Sequence, residues 1–168
     1  MKSDLLTKRI TRTAIIAAIY AATTLAIAPF AYGSIQFRIS EILVLLALFD
    51  PLYISGLTLG CLIANMLGPN GLLDIIFGTL ATFISLIAIY FTGKIIKNYK
   101  LKLILSSIWP TIINGLIIGW MLNKLYKLPL ILSMGEVAIG EFVVVTIIGV
   151  PLFLFAGKHF EDVLKKNK

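Results

Sequence analysis

The side chains best suited to bind a solute are four carboxylates at the borders of apolar segments: Glu41, Asp74, Glu136 and Glu141. Arg38 stands three residues before Glu41, so the two side chains can share one face at the start of a helix. A charged group at the mouth of an apolar segment is costly unless it is paired or solvated, and it usually marks a functional site. These residues predict a pocket for a small polar solute.

Two amides and three aromatic residues accompany these charges. Asn65 and Asn114 lie inside apolar segments, where an amide must hydrogen-bond to another helix or to a ligand. Tyr32, Phe37 and Trp120 are expected at a membrane interface, which aromatic residues favour in any membrane protein. The same rings would also serve as stacking surfaces for a flat heterocycle. We therefore count Phe37, Asn65 and Asn114 among the candidate binding residues.

Several of these residues also have a purely structural explanation. Arg38 and Glu41 could form an ion pair that caps a helix. Asp74, in the first turn of a predicted helix, could simply favour the positive end of the helix dipole. Asn70-Gly71 is a turn signal. The sequence leaves these alternatives open.

The two carboxylates of the last apolar segment differ in depth. Glu136 opens that segment, and Glu141 lies more than one helical turn further in. Their spacing places them on different sides of a helix, so we expect only one of them to point into a pocket. Glu141 is the stronger candidate, because a buried ionised carboxylate requires a partner.

The composition indicates an integral membrane protein. Of the 168 residues, 59% are hydrophobic and only 14% are charged, with a mean hydropathy of +0.99. Soluble domains carry about 25% charged residues, and a soluble fold of this size could not bury so much apolar surface. Cys61 is the single cysteine, so no intrachain disulfide or cysteine metal site is expected.

The apolar residues fall into six segments, which predict an all-α bundle of six transmembrane helices in a single domain covering residues 1–168. The segments lie at about residues 10–30, 39–49, 52–67, 72–92, 101–122 and 137–155. Four of them approach the ~20 residues needed to span a bilayer. The second and third are shorter and are separated by Asp50-Pro51, where proline favours a break.

The basic residues predict the topology. They form three clusters at the ends of apolar segments, and the positive-inside rule puts all three in the cytoplasm. An even number of crossings must then separate the first cluster from the second, which favours a split at Asp50-Pro51. Six crossings place both termini and twelve of the fifteen basic residues in the cytoplasm, in clusters at Lys2, Lys8, Arg9, Arg12; Lys94, Lys97, Lys100, Lys102; and Lys158, Lys165, Lys166, Lys168. The four candidate carboxylates then lie at or just below the outer surface.

The first apolar segment carries a strip of alanines at every fourth position: Ala14, Ala18, Ala22 and Ala26. Small residues at this spacing let another helix pack closely. That helix could belong to the same bundle or to a partner protein, and the spacing alone does not decide between them.

No residue set in the sequence points to catalysis or to ATP use. His159 is the only histidine, and the chain has no Walker motif, phosphate-binding glycine loop or Ser/His/Asp set. We therefore predict a non-enzymatic protein without a cofactor or metal. The basic clusters follow membrane topology rather than one face, so no nucleic-acid partner is expected.

The amino-acid sequences of three stretches, and their order along the chain, carry a family resemblance. They are GSIQFRISE at residues 33–41, GCLIAN at residues 60–65 and GLLDIIFGTLAT at residues 71–82. With the alanine-rich first segment, they resemble the QueT family of predicted substrate-binding (S) components of energy-coupling factor (ECF) transporters for queuosine precursors. The resemblance extends over essentially the whole chain.

The resemblance implies a multi-pass protein of the bacterial cell membrane that docks on a coupling transmembrane subunit driven by two ATPase subunits. In such families an alanine strip on the first helix faces the coupling subunit, which here corresponds to Ala14 and Ala18, continuing at Ala22. The implied mechanism is capture of solute outside, followed by toppling of the whole S component to release it inside. The implied substrate is a 7-deazaguanine such as 7-aminomethyl-7-deazaguanine.

The candidate residues suit such a ligand. A guanine-like edge offers N–H donors that a carboxylate accepts in pairs, so Glu41 or Glu141 is expected to bind the edge of the base. Glu136 or Asp74 would then bind the aminomethyl cation. The rival readings are an S component for another vitamin or nucleobase, and a solitary small-solute carrier, which predicts polar residues through the full depth of the membrane.

Overall fold

All the secondary structure that the computed structural model describes is helical. It describes the backbone of residues 2–165 and the side chains of residues 6–157, and no strand occurs in that range. The prediction of an all-α chain is therefore confirmed. The side chains of Lys2, of the C-terminal lysine cluster and of His159 lie outside the described residues.

The first half of the chain contains two long helices, with a one-turn helix and a 3₁₀ helix between them. Helix α1 spans Lys2–Ala26 and is followed by a one-turn helix at Ala28–Ala31. A 3₁₀ helix spans Ile39–Leu48, and α2 spans Leu52–Leu67. The break between these two falls at Asp50-Pro51, where a side-chain oxygen of Asp50 accepts a hydrogen bond of 2.8 Å from the backbone N–H of Leu52.

The second half consists of three long helices. Helix α3 spans Gly71–Ile95 and contains a π-helical segment at Asp74–Gly78. Helix α4 spans Tyr99–Tyr126. Helix α5 continues from Leu130–Glu141 through a π-helical segment, Phe142–Gly149, into Val150–Lys165.

Several helices extend beyond their predicted bounds. Helix α1 begins at Lys2 rather than near residue 10, α4 continues to Tyr126, and α5 begins at Leu130 rather than near residue 137. Helix α4 ends because Lys127 adopts a left-handed conformation with φ of 58°, a common way for a helix to terminate. The connection to α5 is therefore much shorter than hydropathy suggested.

Among the described residues, three helices are long and apolar enough to cross a membrane: Gly71–Ile95, Tyr99–Tyr126 and Leu130–Gly157. The apolar helices Ile39–Leu48 and Leu52–Leu67 are shorter. The ten-residue 3₁₀ helix rises by about 2.0 Å per residue and so reaches roughly 20 Å, further than an α-helix of equal length. The six-crossing topology remains a prediction.

The 3₁₀ helix lies at the centre of the bundle. It contacts α1, α2, α3, α4 and the π-helical segment of α5. Its residues Val44, Leu45, Leu46 and Ala47 are buried and belong to the larger hydrophobic core. This central position holds Glu41, in the first turn of the 3₁₀ helix, among side chains from several helices.

Helices α1 and α2 pack closely through small residues. A Cβ atom on Gly60 of α2 would lie 2.7 Å from the carbonyl oxygen of Ala17, so the missing side chain allows the contact. Ala17 and Ala21 are buried. The other face of α1 carries Ala14, Ala18 and Ala22, which are exposed.

Candidate binding site

Arg38 is at the centre of a buried polar network. Its side chain is only 3% exposed, and its Nη2 atom forms an ion pair with Oδ2 of Asp74 at 3.0 Å. Its Nη1 donates to Oδ1 of Asn65 at 3.1 Å, and its Nε donates to the carbonyl oxygen of Ala31 at 3.2 Å. The guanidinium also lies 5.1 Å from the centre of the Tyr32 ring. The donor fork of Arg38 is thus well occupied.

The same network connects further elements through Asp74. The Nδ2 of Asn70 donates to Oδ2 of Asp74 at 3.3 Å, while the hydroxyl of Tyr126 donates to Oδ1 of Asn70 at 2.6 Å. Arg38 donates to both carboxylate oxygens of Asp74. The alternative that Arg38 pairs with Glu41 is therefore wrong, because its carboxylate partner comes from α3. The network joins the loop before the 3₁₀ helix to α2, α3 and α4.

Glu41 belongs to a second polar cluster, which is not fully satisfied. The residue is 1% exposed. Its Oε1 accepts hydrogen bonds from the hydroxyl of Tyr20 on α1 and, at 3.3 Å, from the hydroxyl of Thr82 on α3. Its Oε2 is buried and has no hydrogen-bond partner among the described residues. One carboxylate oxygen therefore remains available.

Glu141, on α5, repeats this pattern. It is 3% exposed and lies at the end of the first part of α5, next to the π-helical segment. Its Oε1 accepts a hydrogen bond of 2.7 Å from Nδ2 of Asn114 on α4. Within the described part of the chain, Oε2 of Glu141 and Oδ1 of Asn114 are buried without a partner.

Glu41 and the hydrogen-bonded pair Glu141–Asn114 belong to helices that pack against one another. The 3₁₀ helix that carries Glu41 contacts the π-helical segment that begins directly after Glu141. Buried polar atoms nearly always have a partner, and an unsatisfied one costs about 1–3 kcal/mol. Glu41, Glu141 and Asn114 each keep one acceptor oxygen that has no partner in the range the structure describes. We define these three residues as the acceptor cluster, which can bind a small molecule rich in N–H donors.

Comparison with known proteins agrees with the resemblance. A family model described as "QueT transporter" matches residues 10–158. The chain belongs to the QueT transporter family. A relative in Lactococcus lactis subsp. cremoris (strain MG1363), named queuosine precursor transporter QueT, is 33% identical over 167 residues, covering 92% of this chain and 90% of the relative. No solved structure matches the chain. The QueT family and the apolar helices together make it a membrane transport protein.

The predicted site residues of this QueT-family chain occupy three kinds of position. Glu41, Glu141 and Asn114 form the acceptor cluster, while Arg38, Asn65 and Asp74 bond mainly to one another. Two candidates take part in neither hydrogen-bonded group: Glu136 is half-buried on α5, and Phe37 is half-buried against the larger core.

Sequence reasoning missed several residues of these two polar clusters. Tyr20 and Thr82 support Glu41, and Tyr126 and Asn70 extend the Arg38 network. A tyrosine in the middle of an apolar segment was an available signal, because a buried phenol usually needs a partner. Asn70 was obscured by its turn motif.

Proposed function

We propose that this QueT-family protein is the substrate-capture (S) subunit of an ECF-type, ATP-driven uptake transporter. Its proposed substrate is a queuosine precursor of the 7-deazaguanine type, such as 7-aminomethyl-7-deazaguanine. The name of the Lactococcus relative supports this substrate class. The single observation that carries the proposal is the acceptor cluster, with three buried and unpaired oxygens.

The acceptor cluster complements the chemistry of this ligand class. A 7-deazaguanine carries ring N–H groups, an exocyclic amino group and, in the aminomethyl form, a cation. All of these are donors, and charge-assisted hydrogen bonds to carboxylates are roughly twice as strong as neutral ones. Glu41 and Glu141 receive hydrogen bonds from uncharged groups in the described part of the chain, namely Tyr20, Thr82 and Asn114. A cationic ligand would therefore supply the missing positive charge.

We assign the donor edge of the base to Glu41 or Glu141, with Asn114 beside them. Glu136 is the proposed partner of the aminomethyl cation in preference to Asp74, because Arg38 and Asn70 already occupy the oxygens of Asp74. Phe37 is proposed to stack on the flat ring. Arg38 and Asn65 would act mainly by positioning the segment that carries Phe37 and Glu41.

The exposed alanine strip of α1 supports docking on a coupling subunit. Ala17 and Ala21 are used within the bundle, whereas Ala14, Ala18 and Ala22 are exposed and leave a smooth surface for another helix. We propose that this surface faces the coupling subunit, and that two ATPase subunits supply the energy. Six crossings with cytoplasmic termini, in a bacterial cell membrane, would let the bundle capture solute outside and topple to release it inside.

A solitary carrier is the second candidate, and one observation favours it. The hydroxyl of Thr146 donates to Oγ of Ser107 at 2.9 Å. Ser107 precedes Asn114 on α4 by about 10 Å of helix, so polar groups continue along the α4–α5 interface. Uptake by liposomes that contain this chain alone would support the carrier. Uptake only with coupling and ATPase subunits would support the S component.

Ligand binding to the purified chain tests the proposed site directly. We expect the parent protein to bind 7-aminomethyl-7-deazaguanine in a calorimetric titration. Glu41→Gln and Glu141→Gln should each weaken binding by roughly 10- to 100-fold, since each removes a charge-assisted hydrogen bond. Asp50→Asn is the matched control. The side-chain oxygen of asparagine can still accept the hydrogen bond from the N–H of Leu52, and position 50 lies away from the acceptor cluster. Parent-like binding by Glu41→Gln, Asp74→Asn, Glu136→Gln and Glu141→Gln would refute the site.

A further inference from the structure

Gln36 combines burial, backbone strain and an unpaired donor. The residue is 2% exposed, and its Nε2 atom is buried without a hydrogen-bond partner among the described residues. Its φ of 54° lies in the left-handed region, which non-glycine residues seldom adopt. Strained residues of this kind persist where the surrounding structure holds them, and they cluster at ligand sites. Gln36 therefore requires an explanation that core packing does not provide.

Backbone hydrogen bonds on both sides hold Gln36 in this conformation. Its N–H donates to the carbonyl oxygen of Gly33 at 3.2 Å, and its own carbonyl oxygen accepts from the N–H of Arg38 at 2.8 Å. The N–H of Phe37 donates to the carbonyl oxygen of Phe30 at 3.0 Å. The side chain of Arg38 is in turn paired with Asp74. These contacts within the chain hold the turn in place.

A close contact with α5 brings this turn to the acceptor cluster. The carbonyl group of Ile35 lies directly against Gly140, and any Cβ atom at position 140 would overlap with it. In the sequence, Gln36 comes directly after Ile35, and Glu141 comes directly after Gly140. The backbones of Gln36 and Glu141 are therefore neighbours, and each side chain has a buried atom without a hydrogen-bond partner within the described part of the chain. One molecule that accepts a hydrogen bond from Gln36 and donates one to Glu141 would satisfy both atoms.

We propose that the side-chain amide of Gln36 donates a hydrogen bond to a ring carbonyl oxygen of the ligand, and that this bond selects oxo over amino heterocycles. The inference rests on the proposed function. A guanine-like edge carries several donors and one carbonyl acceptor, and the acceptor cluster supplies oxygens only for the donors. In a 6-amino analogue, a donor replaces the carbonyl that Nε2 of Gln36 would contact, and the adjacent ring N–H becomes an acceptor that a carboxylate of the acceptor cluster cannot pair with.

Two probes and two variants test this role. The probes are 7-aminomethyl-7-deazaguanine and its analogue with an amino group in place of the 6-carbonyl, each titrated against the full chain. We expect the parent to bind the oxo probe at least 10-fold more tightly than the amino probe. Gln36→Glu replaces the donor with an acceptor at nearly constant shape. It should therefore lower the affinity for the oxo probe at least 10-fold and reduce the ratio of the affinities for the two probes.

Gln36→Gly separates ligand contact from folding. Glycine adopts positive φ without strain, so this variant should keep or raise the thermal stability of the protein while losing at least 10-fold in affinity for the oxo probe. A residue with only a structural role would not lose affinity at unchanged stability. If the parent binds the oxo probe and both variants bind it equally well, the role of Gln36 is refuted and the proposed function stands. If the parent binds neither probe, the proposed function fails and the inference fails with it.

Discussion

Removing the cation of the buried Arg38–Asp74 pair should destabilise the protein strongly. Arg38→Met keeps much of the side-chain length but leaves the carboxylate of Asp74 buried without its 3.0 Å partner. Both side chains are nearly inaccessible to solvent, so water cannot replace the lost contact. Breaking a buried pair in this way typically costs about 3–5 kcal/mol. The loss of the hydrogen bonds to Asn65 and Ala31 acts in the same direction.

Thermal unfolding of the purified protein measures this effect. For a chain of this size, 1 kcal/mol corresponds to roughly 2–4 °C in Tm, so Arg38→Met should lower Tm by about 6–20 °C. Lys97→Met, which removes an exposed cation, is the matched control and should leave Tm nearly unchanged. The double variant Arg38→Met/Asp74→Asn should lower Tm by less than the sum of the two single changes, because neither buried charge is then left without its partner.

Two results would refute this reasoning. A Tm for Arg38→Met within 2 °C of the parent would mean that Asp74 is hydrated or neutral rather than paired. Strict additivity of Arg38→Met and Asp74→Asn would mean that the two side chains do not interact. Ligand binding by Arg38→Met at low temperature gives a further readout, since loosening the turn before the 3₁₀ helix should weaken affinity even where the protein stays folded.

The remaining predictions concern helix packing and accessibility. Gly60→Leu should destabilise the chain by about 1–3 kcal/mol, read as a lower Tm, because a side chain there meets the backbone of Ala17; a parent-like Tm would contradict the close α1–α2 contact. Ala18→Trp should leave Tm and ligand affinity unchanged but prevent co-purification with the coupling subunit, and normal assembly would show that the exposed strip is not the docking face. Cys61 is buried, so the folded chain should react with maleimide far more slowly than the unfolded chain, and equal rates would contradict its burial.

The acceptor cluster shows where residue types were sufficient for prediction and where they were not. Glu41, Glu141 and Asn114 were recognisable candidates, because each is a polar group inside an apolar helix and such groups need partners. Which of the candidates lie near one another was not readable, since that depends on how the helices rotate against one another. Arg38 illustrates the same limit: its neighbour Glu41 seemed the natural partner, but packing of α3 brings Asp74 to it instead.

The sequence by itself determined the helical class, the membrane character and the QueT family, because hydropathy, charge placement and short motifs are properties of consecutive residues. It also determined the break at Asp50-Pro51, since proline acts locally. Only the tertiary structure decided that Arg38 is satisfied by Asp74, while Glu41, Glu141 and Gln36 each keep an atom that no described residue pairs with. The physical reason is that hydrogen-bond satisfaction depends on distances between groups far apart in the chain, which are set by the packing of whole helices.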